Sequence, residues 1–421
     1  MNKATYVIII LILNFYSCFT DVDDKIKIVE VSARDISSIL NSIDISKYPS
    51  IKDTTEFPLM AWRGVPDEFI SLERIREVRD VGLNLMFYPY KSIETLKQVL
   101  DYSELVGIKT LISCPELFTH TDSIVKLFKN HPANGGYFLQ DEPTLSFLPQ
   151  LSELSKKIES IDDTRFTYIN LLPYHNNTNE YYSTAESYFN YIERFTIETP
   201  LKIISFDHYP ITKNWIKPTW YHNLEIIAGI AKKANVPFWT FVMSSAHYSY
   251  PIPTIEHLRL QVYSNIAYGS KGLQYFTYWM PDREPYLSGP IDSKGNRTPE
   301  YYLLQEINRE IQRLSYIYLS CNYHDVGFYG EIPNGTRQFL KTPFFISSID
   351  IKGGNALLSL MKNDKNEFFM IQNINLHREI AISIKTDNLT SIVLKNGKLI
   401  PVSLLKEEFK ILPGDMIILM R

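Results

Sequence analysis

Two adjacent acids follow an apolar run in the first half of the 421-residue chain. Residues 135–143 have the sequence GGYFLQDEP, so Asp141 and Glu142 stand at the end of a predicted strand. A carboxyl group held among apolar neighbours has a raised pKa and can donate a proton near neutral pH. The alternative is an acid at a helix start that pairs with an arginine or a backbone amide. We interpret Glu142 as a general acid, because two acids at a strand end cost free energy unless they are used.

Polar and aromatic side chains also end the other predicted strands. Rings that stack on sugar CH faces stand beside groups that hydrogen-bond to hydroxyls, and this mixture favours a carbohydrate ligand. The predicted substrate contacts are Trp62, Arg63, Tyr88, Asp141, Asn170, His208, Tyr209, His247 and Trp279.

Acid-catalysed cleavage of a glycosidic bond uses two carboxyl groups. Asp207 is the preferred partner of Glu142 and is predicted to act as nucleophile or base, because it ends the sixth predicted strand beside His208 and Tyr209. A salt bridge between Asp207 and Arg63, or a hydrogen bond to a loop, is the structural alternative. The other candidates for the second carboxylate are Glu116, Asp282 and Glu284.

Other kinds of chemistry have weaker support in the sequence. His208 and His247 have no third ligand at a recognisable spacing, so hydrogen bonding is favoured over a zinc site. Ser244 and Ser245 lack the setting of a nucleophile elbow, which argues against an esterase. Glycine-rich phosphate loops are also absent from the sequence. We therefore predict neither a metal nor a cofactor.

The elements that must position these residues alternate between short apolar runs and amphipathic stretches, such as Phe69-Leu72-Ile75-Val78. Gly82, Gly107, Asn235 and Gly272 have the residue types expected after helix ends. Eight such units within about 250 residues predict a closed (β/α)8 barrel. The predicted strands are residues 57–64, 83–90, 109–115, 135–143, 165–173, 203–210, 237–245 and 272–281.

The pattern changes after a last barrel helix predicted over residues 298–319. Short apolar runs then alternate with turns at Asn396-Gly397 and Pro413-Gly414, which predicts a small antiparallel β-sandwich. It shows no cluster of acids, histidines or cysteines, so packing against the barrel is favoured over sugar binding. The predicted division is a signal peptide over 1–20, an extension over 21–55, the barrel over 56–320 and the β domain over 321–421.

The segment Asp141-Glu142-Pro143 resembles strand four of the clan A glycoside hydrolases, in which an Asn-Glu-Pro or similar tripeptide supplies the acid/base glutamate. Residues 205–210, 258–265 and 274–279 extend the resemblance to bacterial β-galactosidase-like barrels related to family 42. It implies that Glu142 is the acid and that Trp279 is a sugar platform. It also implies a nucleophilic glutamate at the end of strand seven, where residues 238–247 contain no acid.

The predicted function is hydrolysis of a glycosidic bond in an oligo- or polysaccharide. A barrel that binds carbohydrate without cleaving it is the alternative, because the acid of strand seven is missing. A polysaccharide lyase ranks last, since the strand ends supply only Arg63 and Arg283 to recognise uronates. The net charge of −4, without long runs of one sign, argues against nucleic acid as a partner.

The N-terminal residues predict export. Lys3 precedes an apolar stretch over residues 6–15, which is too short to span a membrane and is typical of a signal peptide. Cys18 follows this stretch and resembles the acylated cysteine of a bacterial lipobox, although Phe15 stands where leucine is usual. The mature protein is therefore predicted to be periplasmic, secreted or attached to the outer membrane through a lipid on Cys18.

Labelling with a palmitate analogue tests this prediction. The wild type should be marked and the Cys18→Ala variant should not, because acylation needs the cysteine thiol. In-gel detection of the label measures both. An exported wild type without label would contradict the lipobox interpretation.

Overall fold

The computed structural model describes residues 34–35, 43–51, 55–174, 182, 184–213, 215–405 and 408–421, which belong to one compact unit. The predicted signal peptide and Cys18 lie outside the described residues. In the described part of the chain, no helix is both long enough and apolar enough to cross a membrane.

Eight parallel strands close into a barrel in which the last strand pairs with the first. Each strand overlaps the range predicted for it, so the barrel prediction is confirmed. The apolar runs form strands here because both faces of a parallel barrel strand are buried. The strands are Leu59–Trp62 (β1), Leu85–Phe87 (β2), Lys109–Ile112 (β3), Asn134–Asp141 (β4), Thr167–Leu171 (β5), Ile204–Phe206 (β6), Phe238–Met243 (β7) and Leu273–Phe276 (β8).

Several of the helices begin or end at recognisable capping residues. Ser71 and Ser92 accept hydrogen bonds from the first turn of their helices, and Gly107 and Asn235 end two helices in the left-handed conformation, as predicted. The helices are Leu72–Asp80 (α1), Ile93–Val106 (α2), Glu116–Thr119 (α3), Thr121–Phe128 (α4), Leu148–Ile161 (α5), Ala185–Glu198 (α6), Thr219–Ala234 (α7), Ile255–Ala267 (α8), Pro299–Arg313 (α9) and Ser315–Ser320 (α10).

Two local predictions were wrong. Gly272 does not follow a helix end, because α8 ends at Ala267 and Gly269 has the positive φ of +105°. The helix predicted over residues 298–319 is divided into α9 and α10, because the backbone of Leu314 (φ −109°, ψ 8°) leaves the helical region.

The barrel interior is filled with side chains below the strand ends. The Trp62 ring lies 4.4 Å from Phe87, 5.7 Å from Phe138 and 5.0 Å from Phe241 between ring centroids. These rings come from four different strands, so they brace the barrel wall from the inside. They leave space for a ligand at the carboxyl ends of the strands.

A β-sandwich follows the barrel, as predicted. A six-stranded sheet has the order β9-β11-β12-β17-β14-β15, and a four-stranded sheet is formed by Arg34–Asp35, β16, β13 and β10. The strands are Asn322–Tyr329 (β9), Ile346–Lys352 (β10), Ala356–Lys362 (β11), Glu367–Asn373 (β12), Ile380–Thr386 (β13), Ser391–Val393 (β14), Leu399–Pro401 (β15), Phe409–Ile411 (β16) and Met416–Met420 (β17).

The six-stranded sheet has two buried faces. Phe368 and Met370 of β12 belong to the core that includes the barrel helices, whereas Phe369 and Ile371 belong to the core between the two sheets. This alternation follows from the two-residue period of a strand. Polar contacts reinforce the first face, since Ser264 on α8 donates to the Gln372 side chain at 2.8 Å.

Gly272 allows a close contact within the barrel, which a substitution tests. A Cβ at position 272 would lie 2.6 Å from the Trp239 ring, so Gly272→Ala should destabilise the protein by about 1–3 kcal/mol. Gly229→Ala is the matched control, because Gly229 is exposed on α7 and its new Cβ would meet nothing within 4 Å. That change should stabilise the protein by about 0.5–1 kcal/mol. Urea denaturation measures both, and equal effects would contradict the packing described here.

Candidate active site

A cavity of about 370 Å³ opens at the carboxyl ends of the barrel strands. Its size lies at the low end of the range of small-ligand sites, about 300–1,000 Å³. Aromatic rings and three carboxyl groups share its wall. The lining residues are Trp62, Asp141, Glu142, Asn170, Pro173, Asp207, His208, Tyr209, Lys217, Phe241, His247, Tyr248, Tyr250 and Phe276.

Asp141 and Glu142 both face this cavity because the chain leaves the extended conformation between them. Neighbouring side chains of a regular strand point to opposite faces. Asp141 is the last residue of β4, and Glu142 has a φ of +46°, in the left-handed region. The Glu142 amide donates to the Asn170 carbonyl at 2.8 Å, which holds this turn against β5. Backbone strain of this kind is common at functional sites.

The carboxyl groups of Glu142 and Asp207 hydrogen-bond to each other. Such a bond requires a proton on one of the two groups, because two carboxylates have only acceptors. Burial, followed by the charge of Glu142, holds the pKa of Asp207 well above its usual range. Burial and the charge of Asp141 also raise the pKa of Glu142, although part of its surface faces solvent. The pair therefore retains one proton, and the deeper Asp207 holds it.

One amide group links two of the three acids. The Nδ2 atom of Asn170 donates to Asp141 at 3.0 Å and to Asp207 at 2.9 Å. Strand register explains this contact, since Asp141, Asn170 and Ser205 lie side by side on β4, β5 and β6. Asp207 follows Ser205 by two residues and therefore points to the same side.

A buried relay orients that amide. The Ser205 hydroxyl donates to Asn170 Oδ1 at 3.0 Å and accepts from Gln274 Nε2 at 2.8 Å. The Tyr168 hydroxyl contacts both Ser205 and the Gln274 carbonyl. Because Oδ1 of Asn170 accepts from Ser205, its Nδ2 must face the two carboxyl groups. The acceptor and donor sides of the amide are thus determined by residues of β5, β6 and β8.

The cavity lining includes a lysine, Lys217, that no sequence pattern indicated. Lys217 lies in the loop after β6, and its ammonium donates to the Tyr250 hydroxyl at 2.7 Å. Burial lowers the pKa of Lys217, while the nearby Asp207 charge partly opposes that effect. Neither Lys217 nor Tyr250 stands at a fixed distance from a strand end, so no spacing in the sequence identified them.

Two histidines form the remaining polar wall. His208 Nδ1 lies 2.8 Å from the Asn223 side-chain oxygen, which holds the ring against α7. The His247 ring stacks on Tyr286 at 5.1 Å and contacts Tyr250 at 5.0 Å. Burial lowers the pKa of His247, so its neutral form is favoured. Both rings can orient a ligand through hydrogen bonds.

Three predicted contact residues lie outside the cavity lining. The Trp279 ring is buried against Phe69, with centroids 4.7 Å apart, because β8 ends at Phe276 and the chain then turns away. Arg63 has a φ of +54° and places its guanidinium over the Tyr88 ring at 5.9 Å. The structure therefore does not bring Trp279, Arg63 and Tyr88 to the cavity that Glu142 lines, and their contact with a substrate stays a prediction.

The other candidates for the second carboxylate also lie elsewhere. Glu116 begins the short helix α3, and Asp282 and Glu284 are exposed in the loop after β8. None of them lines the cavity, whereas Asp207 does. Cys114 and Cys321 are buried free thiols. Among the described residues, no group of three or more acids, histidines or cysteines is arranged to hold a metal ion.

Among the described residues, three larger cavities are present. One, of about 640 Å³, lies between α5 and the end of α6, away from the strand ends. The other two, of about 710 and 570 Å³, adjoin the β domain. In the first of these two, charges pair with one another, as Arg259 does with Glu310 at 2.6 Å and Lys395 with Asp415 at 2.7 Å. The second lies at the amino ends of β7 and β8, where Lys271 donates to backbone carbonyls. Barrel enzymes act at the opposite ends of their strands. The cavity at the carboxyl ends of the strands is therefore the candidate active site.

Comparison with solved structures gives the fold a context. The β-galactosidase from Bacillus circulans sp. alkalophilus has a TM-score of 0.60 and 8% identity, and the match covers 87% of this chain and 99% of that one. The β-galactosidase from Rahnella sp. R3 has a TM-score of 0.49 and 12% identity over 66% of this chain and 59% of that one. The Marinomonas ef1 β-galactosidase has a TM-score of 0.46 and 10% identity, with 60% and 59% covered.

The chain has a glycosidase-like barrel fold. Identities this low show the shared fold alone, and the chain spans about three fifths of the Rahnella and Marinomonas enzymes. No protein-family model and no curated protein sequence matches the chain.

The raised pKa of Asp207 predicts a pH-dependent gain in stability on substitution. As pH rises above the ordinary value of 3.8, the unfolded chain loses this proton while the folded chain keeps it, so folding stability falls until the raised pKa is reached. Between these two pKa values, the free energy of unfolding falls by about 1.4 kcal/mol for each pH unit. Asp207→Asn removes this fall, because asparagine does not titrate. Thermal denaturation from pH 5 upward should show an advantage of the variant that grows with pH until the raised pKa is reached.

Asp387→Asn is the matched control. Asp387 is partly exposed, and hydrogen bonds from Arg421 and Thr390 lower its pKa, so it is ionised in both states above pH 5. The difference between this variant and the wild type should not change between pH 5 and 8. The same flat profile for Asp207→Asn would contradict proton retention.

Proposed function

We propose that this chain is an exported glycoside hydrolase that cleaves a glycosidic bond of an oligo- or polysaccharide. The observation on which the proposal depends is the hydrogen-bonded pair of Glu142 and Asp207 at the mouth of the barrel. A glycosidic oxygen leaves as an alcohol only when it receives a proton. The pair retains a proton at a pH where isolated carboxyl groups have lost theirs.

In this proposal Glu142 delivers the proton and Asp207 is the group that shares it. Glu142 stands at the more open side of the cavity, where a departing sugar can reach it, and Asp207 lies deeper. Asp207 was predicted from the sequence to be the nucleophile or base. A carboxyl group that holds a proton is a poor nucleophile, so its position beside Glu142 favours a role in proton delivery instead.

The separation of the two groups supports the same division of roles. Retaining enzymes place the acid and the nucleophile about 5–5.5 Å apart, and inverting enzymes about 6.5–9.5 Å apart. Glu142 and Asp207 instead contact each other through a hydrogen bond, so an anomeric carbon does not fit between them. Glu142 and Asp207 therefore act from the same side of the sugar.

A carbohydrate-binding barrel without activity is the second candidate. It is favoured by one observation, the absence of an acid among the residues that follow β7, from Ser244 to His247. The two candidates differ in whether replacing Glu142 affects turnover or only affinity.

Kinetics on two leaving groups test the proposal. On a disaccharide, Glu142→Gln and Asp207→Asn should each lower kcat/KM by about 10²–10⁴-fold, because the leaving oxygen is no longer protonated. On a dinitrophenyl glycoside of the same sugar, both variants should retain far more activity, because that leaving group needs little protonation.

Glu116→Gln and Asp282→Asn are the matched controls, since they make the same chemical change outside the cavity. Both should behave as the wild type. If Asp207→Asn loses activity equally on both substrates, Asp207 is the nucleophile after all. If the wild type binds oligosaccharides but cleaves no glycoside in a broad panel, the binding function replaces the enzymatic one.

A further inference from the structure

We propose, building on the hydrolase function above, that the substrate is a 2-acetamido sugar whose own amide oxygen is the nucleophile. Asp141 accepts the N–H of that amide in this proposal. The inference deepens the proposed function by naming a substrate class and a role for the third carboxyl group.

The described cavity offers few groups that could serve as a nucleophile. Residues 244–247, which follow β7, contain no carboxyl group. Asp207 contacts the acid Glu142 and accepts a hydrogen bond from Asn170 at 2.9 Å, so it lies beside the leaving group. Among the described residues that line the cavity, Asp141 is the remaining acid. The attacking group is therefore either Asp141 or part of the substrate.

Stereochemistry separates these two choices. A group that displaces the leaving oxygen must approach the anomeric carbon from the opposite face of the ring. Asp141 and Glu142 are consecutive residues at the end of β4, and the left-handed Glu142 directs both side chains into the cavity from the same wall. Asp141 is therefore on the same side as the acid, where it cannot attack in line.

Two neighbouring residues can instead contact two neighbouring substituents of one sugar ring. The glycosidic oxygen is bound to C1 and the acetamido nitrogen to C2. Glu142 then protonates the oxygen on C1, and Asp141 accepts a hydrogen bond from the nitrogen on C2. Asp141 is oriented for this role, because Asn170 donates to one of its oxygens at 3.0 Å and its other oxygen remains an acceptor. The acetamido oxygen then lies on the ring face opposite a β-linked leaving group.

Tyr250 supplies the complementary donor. Lys217 donates to the Tyr250 oxygen at 2.7 Å, and a lysine ammonium accepts no hydrogen bond, so the phenol proton must point elsewhere. Tyr250 lines the cavity and can donate this proton to an amide oxygen. The rings of Trp62, Phe241 and Phe276 line the same cavity and provide an apolar surface for the acetamido methyl group.

The chemistry balances without a further reagent. The amide oxygen forms a bond to C1 while the C1–O glycosidic bond breaks, and Glu142 passes the proton that it shares with Asp207 to the departing oxygen. The amide N–H proton moves to Asp141, which leaves a neutral oxazoline. Water then forms a bond to C1 while the C1–O bond of the oxazoline breaks, which re-forms the amide oxygen. The proton of the water returns to Glu142, and Asp141 returns its proton to the amide nitrogen. Intramolecular attack of this kind has effective molarities of about 10⁵–10⁸ M.

A substrate pair tests the proposal on the intact protein. The 4-nitrophenyl β-glycosides of N-acetylglucosamine and N-acetylgalactosamine should be cleaved at least about 10²-fold faster than those of glucose and galactose. Successive fluorination of the acetamido methyl should lower kcat stepwise, because it weakens the attacking oxygen. A flat fluorine series, or faster cleavage of the plain hexosides, would overturn this inference while leaving the hydrolase function intact. No cleavage of any glycoside would overturn both.

Variants of Asp141 and Tyr250 give a second readout. Asp141→Ala should lose about 10²-fold or more in kcat on the acetamido substrate, and azide should not restore it. If azide restored activity and gave a glycosyl azide of inverted anomeric configuration, Asp141 would be the nucleophile. That result would contradict the proposal. Tyr250→Phe, which keeps the ring, should lower kcat on acetamido substrates more than it raises KM. Thermal denaturation of each variant verifies that the protein is folded.

Discussion

Three carboxyl groups line one small cavity, and the folded barrel needs contacts that reduce the repulsion between them. Two contacts relieve it. A retained proton joins Glu142 to Asp207, and the Asn170 amide donates to Asp141 and Asp207 together. Removing either contact would leave unpaired negative charges close together in a partly desolvated site, where such charges interact strongly. The geometry of the site therefore depends on the protonation state of the pair.

The barrel supplies the rigidity that this arrangement requires. Asn170 is oriented by Ser205, which is in turn oriented by Gln274, so residues of three strands determine the direction of one amide. Strand register brings them to one level, and the aromatic packing beneath leaves little space for the strands to shift. A positively charged partner would pair with the carboxylates and remove the retained proton. The nearest cation that lines the cavity, Lys217, donates instead to a phenol.

The sequence predicted those features that follow from periodicity and topology. Eight apolar runs predicted the barrel strands, and the rule that parallel strands end at one face predicted that Glu142, Asn170 and Asp207 meet. It could not predict Lys217 and Tyr250, since long loops bring them to the cavity at no regular spacing. Trp279 was misplaced because the apolar pattern continues past Phe276, where the strand ends. The proton shared by Glu142 and Asp207 depends on a contact across two strands, which no local pattern records.

The six-stranded sheet, which is buried on both faces, ties the sandwich to the barrel. Phe368 and Met370 face the barrel, and Phe369 and Ile371 face the second sheet, so a single strand completes both hydrophobic cores. Truncating the chain before Cys321 would expose apolar side chains of the barrel helices to water. An apolar surface of this kind promotes self-association. The sandwich therefore forms a third layer of the fold, and a sandwich taken from another barrel would have to match both of these cores.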